Sequence, residues 1–326
     1  MKKRIVFITD NGLGGVKDQT KILAKIFKRK NIVKIKIVDQ KIQKIKTKDL
    51  KKNDTIILQY SGYGLAKRGA PLWFVKELIL IKKKVNKIII IFHELYAVAY
   101  YPWKSAFWLH YVQKFIYKTL AKNADLLVTP SKVYFKKIEG LKLNKKILHL
   151  PTISNVGELI RPNYKKKNFL VVFGLAREEA YRMLGNNLFL WAKKNYVEII
   201  DIGPKITDPE ISNNLSVNGS KVLGLLSKEK ISNIFKSAKY GLINYDINLI
   251  DKSGVFNAYA SHGIIPIIIN KKKNVQKIIK KNIHYYSALP KKIYKNNFIN
   301  NNIWNWYQGH NSNIYANKLY DLLLRL

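Results

Sequence analysis

The sequence of 326 residues contains no cysteine, which excludes disulfides, thiolate metal ligands and cysteine nucleophiles. It also has no apolar run near the ~20 residues that a membrane-spanning helix needs. Acidic residues are scarce, because 20 Asp and Glu face 60 Lys and Arg, giving a formal net charge of +40. We therefore expect a protein of a reducing compartment that is soluble or lies on a membrane surface.

The positive charge favours polyanions, anionic lipid surfaces or phosphorylated substrates as partners. The alternative is that most lysines are solvated surface residues from an AT-rich coding bias, since isoleucine and asparagine are also abundant. The sequence shows no RRM, KH or helix-turn-helix signature, and its basic residues are spread rather than striped. We therefore expect no specific nucleic-acid partner.

The chain is 47% hydrophobic and is long enough for one large or two ordinary domains with substantial cores. The basic start MKKRIVFITD reaches Asp10 before any apolar region of signal-peptide length, so it predicts a strand. The expected location is cytoplasmic, with peripheral attachment to the inner face of the plasma membrane as a further expectation.

A glycine loop follows the first predicted strand. Residues 4–9 are apolar, and Gly12, Gly14 and Gly15 precede a helical pattern. Such a loop lets the backbone approach a ligand, and the helix start can hold an anion. It matches neither G-x-G-x-x-G nor the Walker pattern, so as a nucleotide motif it is weak.

His93 and Glu94 follow the most apolar strand of the first half, residues 87–92. Ligands of open α/β sheets bind beyond the carboxyl ends of the strands, so polar residues there are site candidates. Glu94 is suited to position or deprotonate a hydroxyl. The alternatives are a structural histidine and an ordinary surface glutamate.

Residues 96–122 are dense in aromatic side chains and lysines. One interpretation is a basic amphipathic segment on an anionic bilayer, and the other is packing of a helix on its own sheet. We assign the apolar stripe of the helix, from Trp108 to Leu120, to packing. The membrane interpretation is kept for the loop, with Tyr96, Tyr101 and Trp103, and for the lysine face.

A new α/β pattern begins in the second half, after a stretch of Pro, Gly, Asn and Lys at residues 151–168. Gly174 and Arg177 follow its first strand, residues 169–173. The planar donors of an arginine can match phosphate oxygens in pairs, so Arg177 is a candidate for binding an anion. The alternative for Arg177 is an ion pair with Glu178 or Glu179.

Residues 252–269, KSGVFNAYASHGIIPIII, predict a turn, a short helix and a buried strand. A helix that begins at Ser253 or Gly254 presents unpaired N–H groups and a partial positive charge, with the Lys252 ammonium beside it. This arrangement would hold a phosphate. The alternative is an ordinary N-cap serine next to a solvated lysine.

The order of elements over residues 239–269 resembles the donor-binding core of GT-B glycosyltransferases, in particular bacterial family 4-like enzymes. Asn257 stands where the second glutamate of the family's E-x7-E motif is expected, and no glutamate lies eight residues before it. The rest of the EAMA-x-G-x-P-V pattern is kept, with slightly altered spacing, by Ala258, Ala260, Gly263 and Pro266. The chain thus looks like a divergent relative of this family.

The resemblance implies an α/β protein with two Rossmann-like domains, whose parallel sheets face each other across a cleft. Residues 1–150 would form the N-terminal acceptor domain and residues 151–168 the linker. Residues 169–305 would form the donor domain, and residues 306–326 a C-terminal helix that packs back on the first domain.

The resemblance also implies roles for the candidate residues. His93 and Glu94 would be catalytic. The groups expected at the donor phosphates are Gly14, Gly15, Arg177, Lys252, Ser253 and Gly254. The groups expected elsewhere in the donor cleft are Gly174, Tyr245, Asp246 and Asn257. Acceptor or membrane contacts are expected at Tyr96, Tyr101 and Trp103.

The implied function is transfer of a sugar from a nucleotide-diphosphate sugar to a saccharide or lipid-linked acceptor in cell-surface polysaccharide synthesis. The nucleotide sugar would be a co-substrate, with no cofactor and no metal, and the anomeric configuration would be retained. The rival classes are a non-catalytic GT-B-like scaffold and a basic nucleic-acid-binding protein.

Overall fold

The computed structural model describes residues 4–12, 15–29, 31–97, 101–103, 105–163, 165–270, 272–291 and 297–325. The chain divides into two compact units. Unit 1 comprises Met1–Pro151 and Ser312–Leu326, and unit 2 comprises Thr152–Asn311.

Unit 1 is built on a parallel sheet of six strands in the order β2-β1-β3-β4-β5-β6. Its strands are β1 (Arg4–Asp10), β2 (Ile32–Val38), β3 (Asp54–Tyr60), β4 (Lys87–Phe92), β5 (Leu126–Thr129) and β6 (Lys146–His149). Its helices are α1 (Gly15–Phe27), α2 (Gly62–Leu65), α3 (Leu72–Lys82), α4 (Ser105–Asn123), α5 (Lys132–Glu139) and, after unit 2, α12 (Ser312–Arg325).

The apolar strands of unit 1 are buried on both faces, as a parallel sheet covered by helices requires. Alternate residues serve the two faces. Ile8 belongs to the core that includes Phe74 of α3 and Ile116 of α4. Phe7 points the other way and meets Phe27 of α1 edge to face, with 5.8 Å between ring centroids.

Unit 2 is built on a parallel sheet of five strands in the order β11-β10-β7-β8-β9. Its strands are β7 (Lys167–Phe173), β8 (Glu198–Ile202), β9 (Lys221–Val222), β10 (Ala238–Ile243) and β11 (Ile265–Ile268). Its helices are α6 (Glu178–Leu184), α7 (Asn186–Lys194), α8 (Pro209–Val217), α9 (Lys228–Ser237), α10 (Gly254–Ser261) and α11 (Phe298–Gln308), with a 3-10 helix over Ile247–Lys252.

The stretch expected as a linker is bonded into unit 2. The Thr152 N–H donates to the Asp251 carbonyl at 2.9 Å, and the Leu159 N–H donates to the Ser261 carbonyl at 3.2 Å. The Ser154 N–H donates to the Tyr307 hydroxyl at 2.8 Å. Most of its chain therefore belongs to the body of the second unit.

The last helix belongs to unit 1. Tyr315 and Leu319 of α12 are fully buried, and α12 contacts α1. Phe27 meets Tyr320 edge to face with 5.7 Å between ring centroids. Among the described residues, no helix is long and apolar enough to cross a bilayer.

Candidate functional site

Each sheet has one point at which the order of successive strands reverses. In unit 1 the strands on either side of β1 are β2 and β3, and in unit 2 the strands on either side of β7 are β8 and β10. Ligands of open α/β sheets bind in the crevice outside the carboxyl ends of the strands at such a point. The candidate binding regions are therefore the carboxyl ends of β1 and β3 and the carboxyl ends of β7 and β10.

Helix α10 begins close to the β7–β10 point in unit 2. Ser253 is its N-cap, has extended backbone, and its hydroxyl oxygen accepts from the Phe256 N–H at 3.2 Å. Gly254 is the first helical residue, and a Cβ placed on it would meet no atom within 4 Å. The first turn thus keeps open space beside backbone N–H groups that carry partial positive charge.

Gly174, which directly follows strand β7, lies against this first turn. Its φ is +111°, and a Cβ placed on it would come within 2.8 Å of Val255 Cγ2. Glycine is therefore required here by both conformation and space. The contact brings together two predicted parts of the donor site, the loop after β7 and the start of α10.

Arg177 has a different environment from the predicted one. Its guanidinium forms two hydrogen bonds with the Asp201 carboxylate, at 2.7 and 2.8 Å, and its side chain is 2% exposed. A third hydrogen bond goes to the Gly174 carbonyl at 3.3 Å. The buried pair indicates a structural role, and phosphate binding by Arg177 stays a prediction.

The alternative partners that the sequence suggested for Arg177 pair with another arginine. Glu178 and Glu179 both bind Arg182, at 3.0 and 2.8 Å. Asp201 lies 24 residues from Arg177 in the sequence, at the end of the neighbouring strand β8. Only the sheet order places it beside Arg177.

Asn257 is a residue of α10 and lies in the interior of unit 2. It is fully buried, its amide donates to the carbonyls of Ser253 at 2.9 Å and Asp251 at 3.2 Å, and its Oδ1 is 3.0 Å from His310 Nε2. This residue therefore holds the segment before α10 in place. It is not on a surface that a donor sugar reaches in this structure, so a direct donor contact stays a prediction.

Asp246 and Tyr245 follow β10. Asp246 caps the 3-10 helix through the Asn248 N–H at 3.0 Å, and its other oxygen accepts from Lys272 at 2.7 Å. Tyr245 packs, half-buried, on the core of the unit. Lys252 is the last residue of the same 3-10 helix and directly precedes the Ser253 cap.

In unit 1, Gly15 is the first residue of α1, in the segment after β1. Gly14, predicted to act with it, lies outside the described residues. The Gly12 N–H donates to the Asp10 carboxylate at 2.8 Å, which closes a turn directly after β1.

His93 and Glu94 follow β4 at the same edge of the sheet. His93 is buried, with Nε2 2.6 Å from Gln59 Oε1 of β3. Glu94 is half-buried and accepts from the Ser61 hydroxyl at 2.9 Å and the Tyr63 N–H at 3.3 Å. The histidine is therefore tied to the sheet, whereas the glutamate caps the short helix α2.

Asp10, at the end of β1, is a candidate that the sequence analysis did not select. It is 4% exposed, and its Oδ2 has no hydrogen-bond partner among the described residues. Burial raises its pKa, with a smaller contribution from the nearby Glu94 charge. Its position after the first strand was the available signal, because Asp10 is the first polar side chain beyond the apolar run.

Glycines make room for this acid. A Cβ placed on Gly64 would lie 2.5 Å from the Asp10 carboxylate, and one placed on Gly12 would lie 2.7 Å from it. Asp10 and Glu94 are thus two carboxylates at the β1–β3 point of unit 1. Such a pair is suited to accept or hold a hydroxyl proton.

The predicted acceptor or membrane residues separate into two groups. Tyr96 packs on the core of unit 1, with the ammonium of Lys137 4.7 Å from its ring centroid. Tyr101 and Trp103 are 50% and 78% exposed, and their rings stack with 4.9 Å between centroids. Only these two form an open surface.

The apolar stripe of α4 also divides, which corrects its assignment to packing. Ile116 and Leu120 are fully buried in the core. Trp108, Tyr111 and Phe115 are 68%, 73% and 57% exposed. The sequence pattern merged a buried face with an exposed aromatic one.

A cavity of about 500 Å³ lies at the opposite, amino end of β8, lined by residues that include Tyr196, Glu198 and Asn218. It contains none of the predicted site residues. Within the described ranges, no group of three or more His, Asp or Glu side chains is arranged to hold a metal ion.

No protein-family model matches the chain, and no curated protein matches it. Solved structures do. The pneumococcal O-GlcNAc transferase GtfA, in complex with UDP and GlcNAc, matches with a TM-score of 0.57 at 12% identity, over 88% of this chain and 59% of that one. This chain thus spans less than two thirds of that protein.

Two epimerase structures match over nearly the whole of both chains. A Listeria monocytogenes protein described as a UDP-N-acetylglucosamine 2-epimerase has a TM-score of 0.58 at 9% identity, over 98% of this chain and 95% of that one. The Neisseria meningitidis UDP-GlcNAc 2-epimerase, bound to UDP-GlcNAc, has a TM-score of 0.56 at 10% identity, over 99% and 100%. With two parallel Rossmann-like sheets and these neighbours, the chain has a divergent fold of the GT-B glycosyltransferase type.

Proposed function

We propose that this protein is a glycosyltransferase that moves a sugar from a nucleotide-diphosphate sugar to a saccharide or lipid-linked hydroxyl in cell-surface polysaccharide synthesis. In this proposal unit 2 binds the donor. The diphosphate lies at the first turn of α10, where it accepts from backbone N–H groups near Gly254 and lies beside the Lys252 ammonium.

The contact between Gly174 and Val255 carries this proposal. It puts the start of α10 next to the carboxyl end of β7, which is where a doubly wound sheet binds ligands. A helix N-terminus at that place favours negative charge through its orphan N–H groups and its dipole. The solved structures of similar fold that contain UDP or UDP-GlcNAc support the same ligand class.

The proposed chemistry needs stabilisation of the leaving diphosphate as the glycosidic bond breaks. Donors that are already fixed in place supply this with little reorganisation, which is the condition for effective electrostatic catalysis. The donors at α10 are fixed because the helix is buried along most of its length and its cap is formed. We propose that transfer needs no added metal and retains the anomeric configuration.

In unit 1 we propose that Glu94 positions the acceptor hydroxyl and that Asp10 assists as a proton acceptor. Both carboxylates lie at the β1–β3 point, and the Asp10 Oδ2 has no partner among the described residues. A buried carboxyl oxygen without a hydrogen bond costs stability, and such groups concentrate at functional sites. His93, tied to Gln59, would orient this edge of the sheet.

The test of the donor site uses two variants at one position. Gly254→Pro removes the N–H of the first helical residue, where proline is well tolerated, and Ser253 already has the extended backbone that precedes a proline. Gly254→Ala keeps the N–H and adds a methyl group in open space. We expect UDP affinity to fall about tenfold to a hundredfold in Gly254→Pro, the value of one charge-assisted hydrogen bond, and to be unchanged in Gly254→Ala.

Binding of UDP, GDP and ADP is measured by calorimetry. Turnover is measured with the matching sugar donors on membranes from the source, and a CMP-sugar is included as a monophosphate donor. Product NMR distinguishes transfer with retention from inversion, epimerisation or hydrolysis, and EDTA tests the metal requirement. Equal affinity of both variants for every nucleotide would contradict the proposed phosphate site at the first turn of α10. Absence of nucleotide binding by the wild-type protein would favour a scaffold, or, if oligonucleotide binding persists at high salt, a nucleic-acid-binding protein.

A further inference from the structure

One side of α4 exposes large aromatic side chains next to lysines. We call the residues Trp108, Tyr111, Phe115, Lys118 and Lys122 the outer face of α4. On a helix that turns about 100° per residue, these five positions fall within an arc of roughly 80°. Its three aromatic residues are each more than half exposed, and surface patches of this kind mark interaction sites.

The outer face is not required by the fold. The opposite side of α4 contributes Ile116, Leu120 and Ala121, all fully buried. Gln113, also buried, fixes that side by accepting from the Ala97 N–H at 2.7 Å and donating to the Arg68 carbonyl at 3.0 Å. The helix is thus anchored without the three exposed rings.

The aromatic surface continues beyond the helix into the preceding segment. The Trp108 indole N–H donates to the Pro102 carbonyl at 2.6 Å. Tyr101 and Trp103 flank Pro102, and their stacked rings are exposed. This bond therefore fixes two aromatic clusters relative to each other.

The positive charge of α4 indicates what kind of partner binds this surface. The helix α4, SAFWLHYVQKFIYKTLAKN, contains three lysines and no acidic residue. Tryptophan and tyrosine favour the interface between headgroups and acyl chains, while lysines bind anionic headgroups. A continuous aromatic patch with lysines at one end fits an anionic bilayer better than a neutral surface.

We propose that the outer face of α4, together with Tyr101 and Trp103, docks on a membrane rich in anionic lipid. The rings enter the headgroup region, and Lys118 and Lys122 bind lipid phosphates from the same side. This proposal is independent of the proposed function, because docking requires no nucleotide sugar.

The test is co-sedimentation of the full chain with vesicles of phosphatidylglycerol and phosphatidylcholine, compared with phosphatidylcholine alone. We expect the wild-type protein to bind the anionic vesicles and to lose binding as salt is raised. Trp108→Ser combined with Phe115→Ser should weaken binding about tenfold. Lys118→Gln combined with Lys122→Gln should weaken it about fivefold for each lysine.

Two control variants separate this surface from general charge and hydrophobicity. Lys193→Gln with Lys194→Gln removes the same charge from the last turn of α7. Leu225→Ser with Ile160→Ser removes apolar side chains that are 77% and 91% exposed elsewhere. Both controls should bind like the wild type, and all variants should keep their unfolding midpoint because the changed residues are exposed.

Failure of the wild-type protein to bind anionic vesicles would overturn the proposal. So would equal losses in the control and test variants, which would reflect only the net charge of the chain. Binding of equal strength to neutral and anionic vesicles would exclude the assigned role of the lysines. In each case the nucleotide-binding measurements on unit 2 would stand unaffected.

Discussion

The Arg177 guanidinium and the Asp201 carboxylate neutralise each other inside unit 2. Both side chains are at most 2% exposed, and the Tyr181 hydroxyl donates to the same carboxylate at 2.9 Å. Removing one partner of such a pair leaves an uncompensated buried charge. The pair therefore holds the ends of β7 and β8 in the arrangement that the loop at Gly174 depends on.

We predict that Arg177→Ala lowers the free energy of unfolding by about 3–5 kcal/mol, measured by urea denaturation. Arg182→Ala is the matched control, because Arg182 is 43% exposed while pairing with three carboxylates. Exposed pairs contribute at most about 1 kcal/mol. An Arg177→Ala protein with normal stability but no UDP binding would instead support the direct phosphate role.

Helix α10 is fixed at both ends by different means. Ser253 caps its start, and at its end the buried His262 has Nδ1 2.9 Å from the Ala258 carbonyl and Nε2 2.9 Å from the Ser232 hydroxyl. Gly263 follows with φ +60°, a conformation typical of the residue after a helix. The rigidity of the proposed phosphate site thus depends partly on residues eight or more positions after Gly254.

Burial lowers the pKa of His262 to about 4. A histidine whose pKa is depressed in the folded state favours unfolding as the pH falls, because the unfolded chain takes up the proton first. The contribution of His262 to the free energy of unfolding therefore falls between pH ~6.5 and ~4, and it does not change outside that window. The maximum loss from this residue is roughly 3 kcal/mol.

We therefore predict that the free energy of unfolding of the wild type falls through that window more steeply than that of His262→Gln. Denaturation curves collected at pH values from neutral to acid measure this difference. The His284→Gln variant is a partial control. Burial also lowers the pKa of His284, but this side chain is only half-buried and lies in a more exposed segment. Parallel curves for wild type and His262→Gln would show that folding does not lower the pKa of this imidazole.

Unit 1 is discontinuous in sequence, and its stability depends on a segment that follows unit 2. Residues 312–326 return to unit 1 after unit 2 is complete, and Leu319 of α12 is fully buried there. A Leu→Ala change at such a site costs about 2–5 kcal/mol. That cost should fall on unit 1 alone if the units open separately.

We predict that Leu319→Ala lowers hydrogen-exchange protection in β1 and α1 and leaves β7 and β10 unchanged. Leu324→Ala on the same helix is the control, because Leu324 is 53% exposed. Loss of protection in both sheets would show that the two units unfold as one cooperative body.

Strand positions were predictable across both units because buried parallel strands are nearly continuous apolar runs. The six residues of β4 are an example, predicted with the bounds that the structure gives. The start of α10 was equally clear, since Ser253 and Gly254 carry the local signals of a cap and a turn. These features depend on interactions between residues close in sequence.

Features that depend on partners distant in the chain were missed. Nothing local to Arg177 indicates Asp201, which reaches it through the pairing of β7 with β8. Periodicity showed that α4 has an apolar stripe but not that Trp108, Tyr111 and Phe115 lie beyond its contact with the sheet. Asp10 was missed because its significance comes from Gly64 of helix α2 and from Glu94 in the loop after β4.

The placement of α12 has a consequence for biosynthesis. A ribosome delivers β1 to β6 first, yet the surface of α1 that receives Tyr315 and Tyr320 stays uncovered until the whole of unit 2 has been translated. Nascent chains therefore carry an incomplete unit 1 with exposed aromatic groups while unit 2 is being translated. Chaperone capture should concentrate on that interval and should end once α12 has left the exit tunnel.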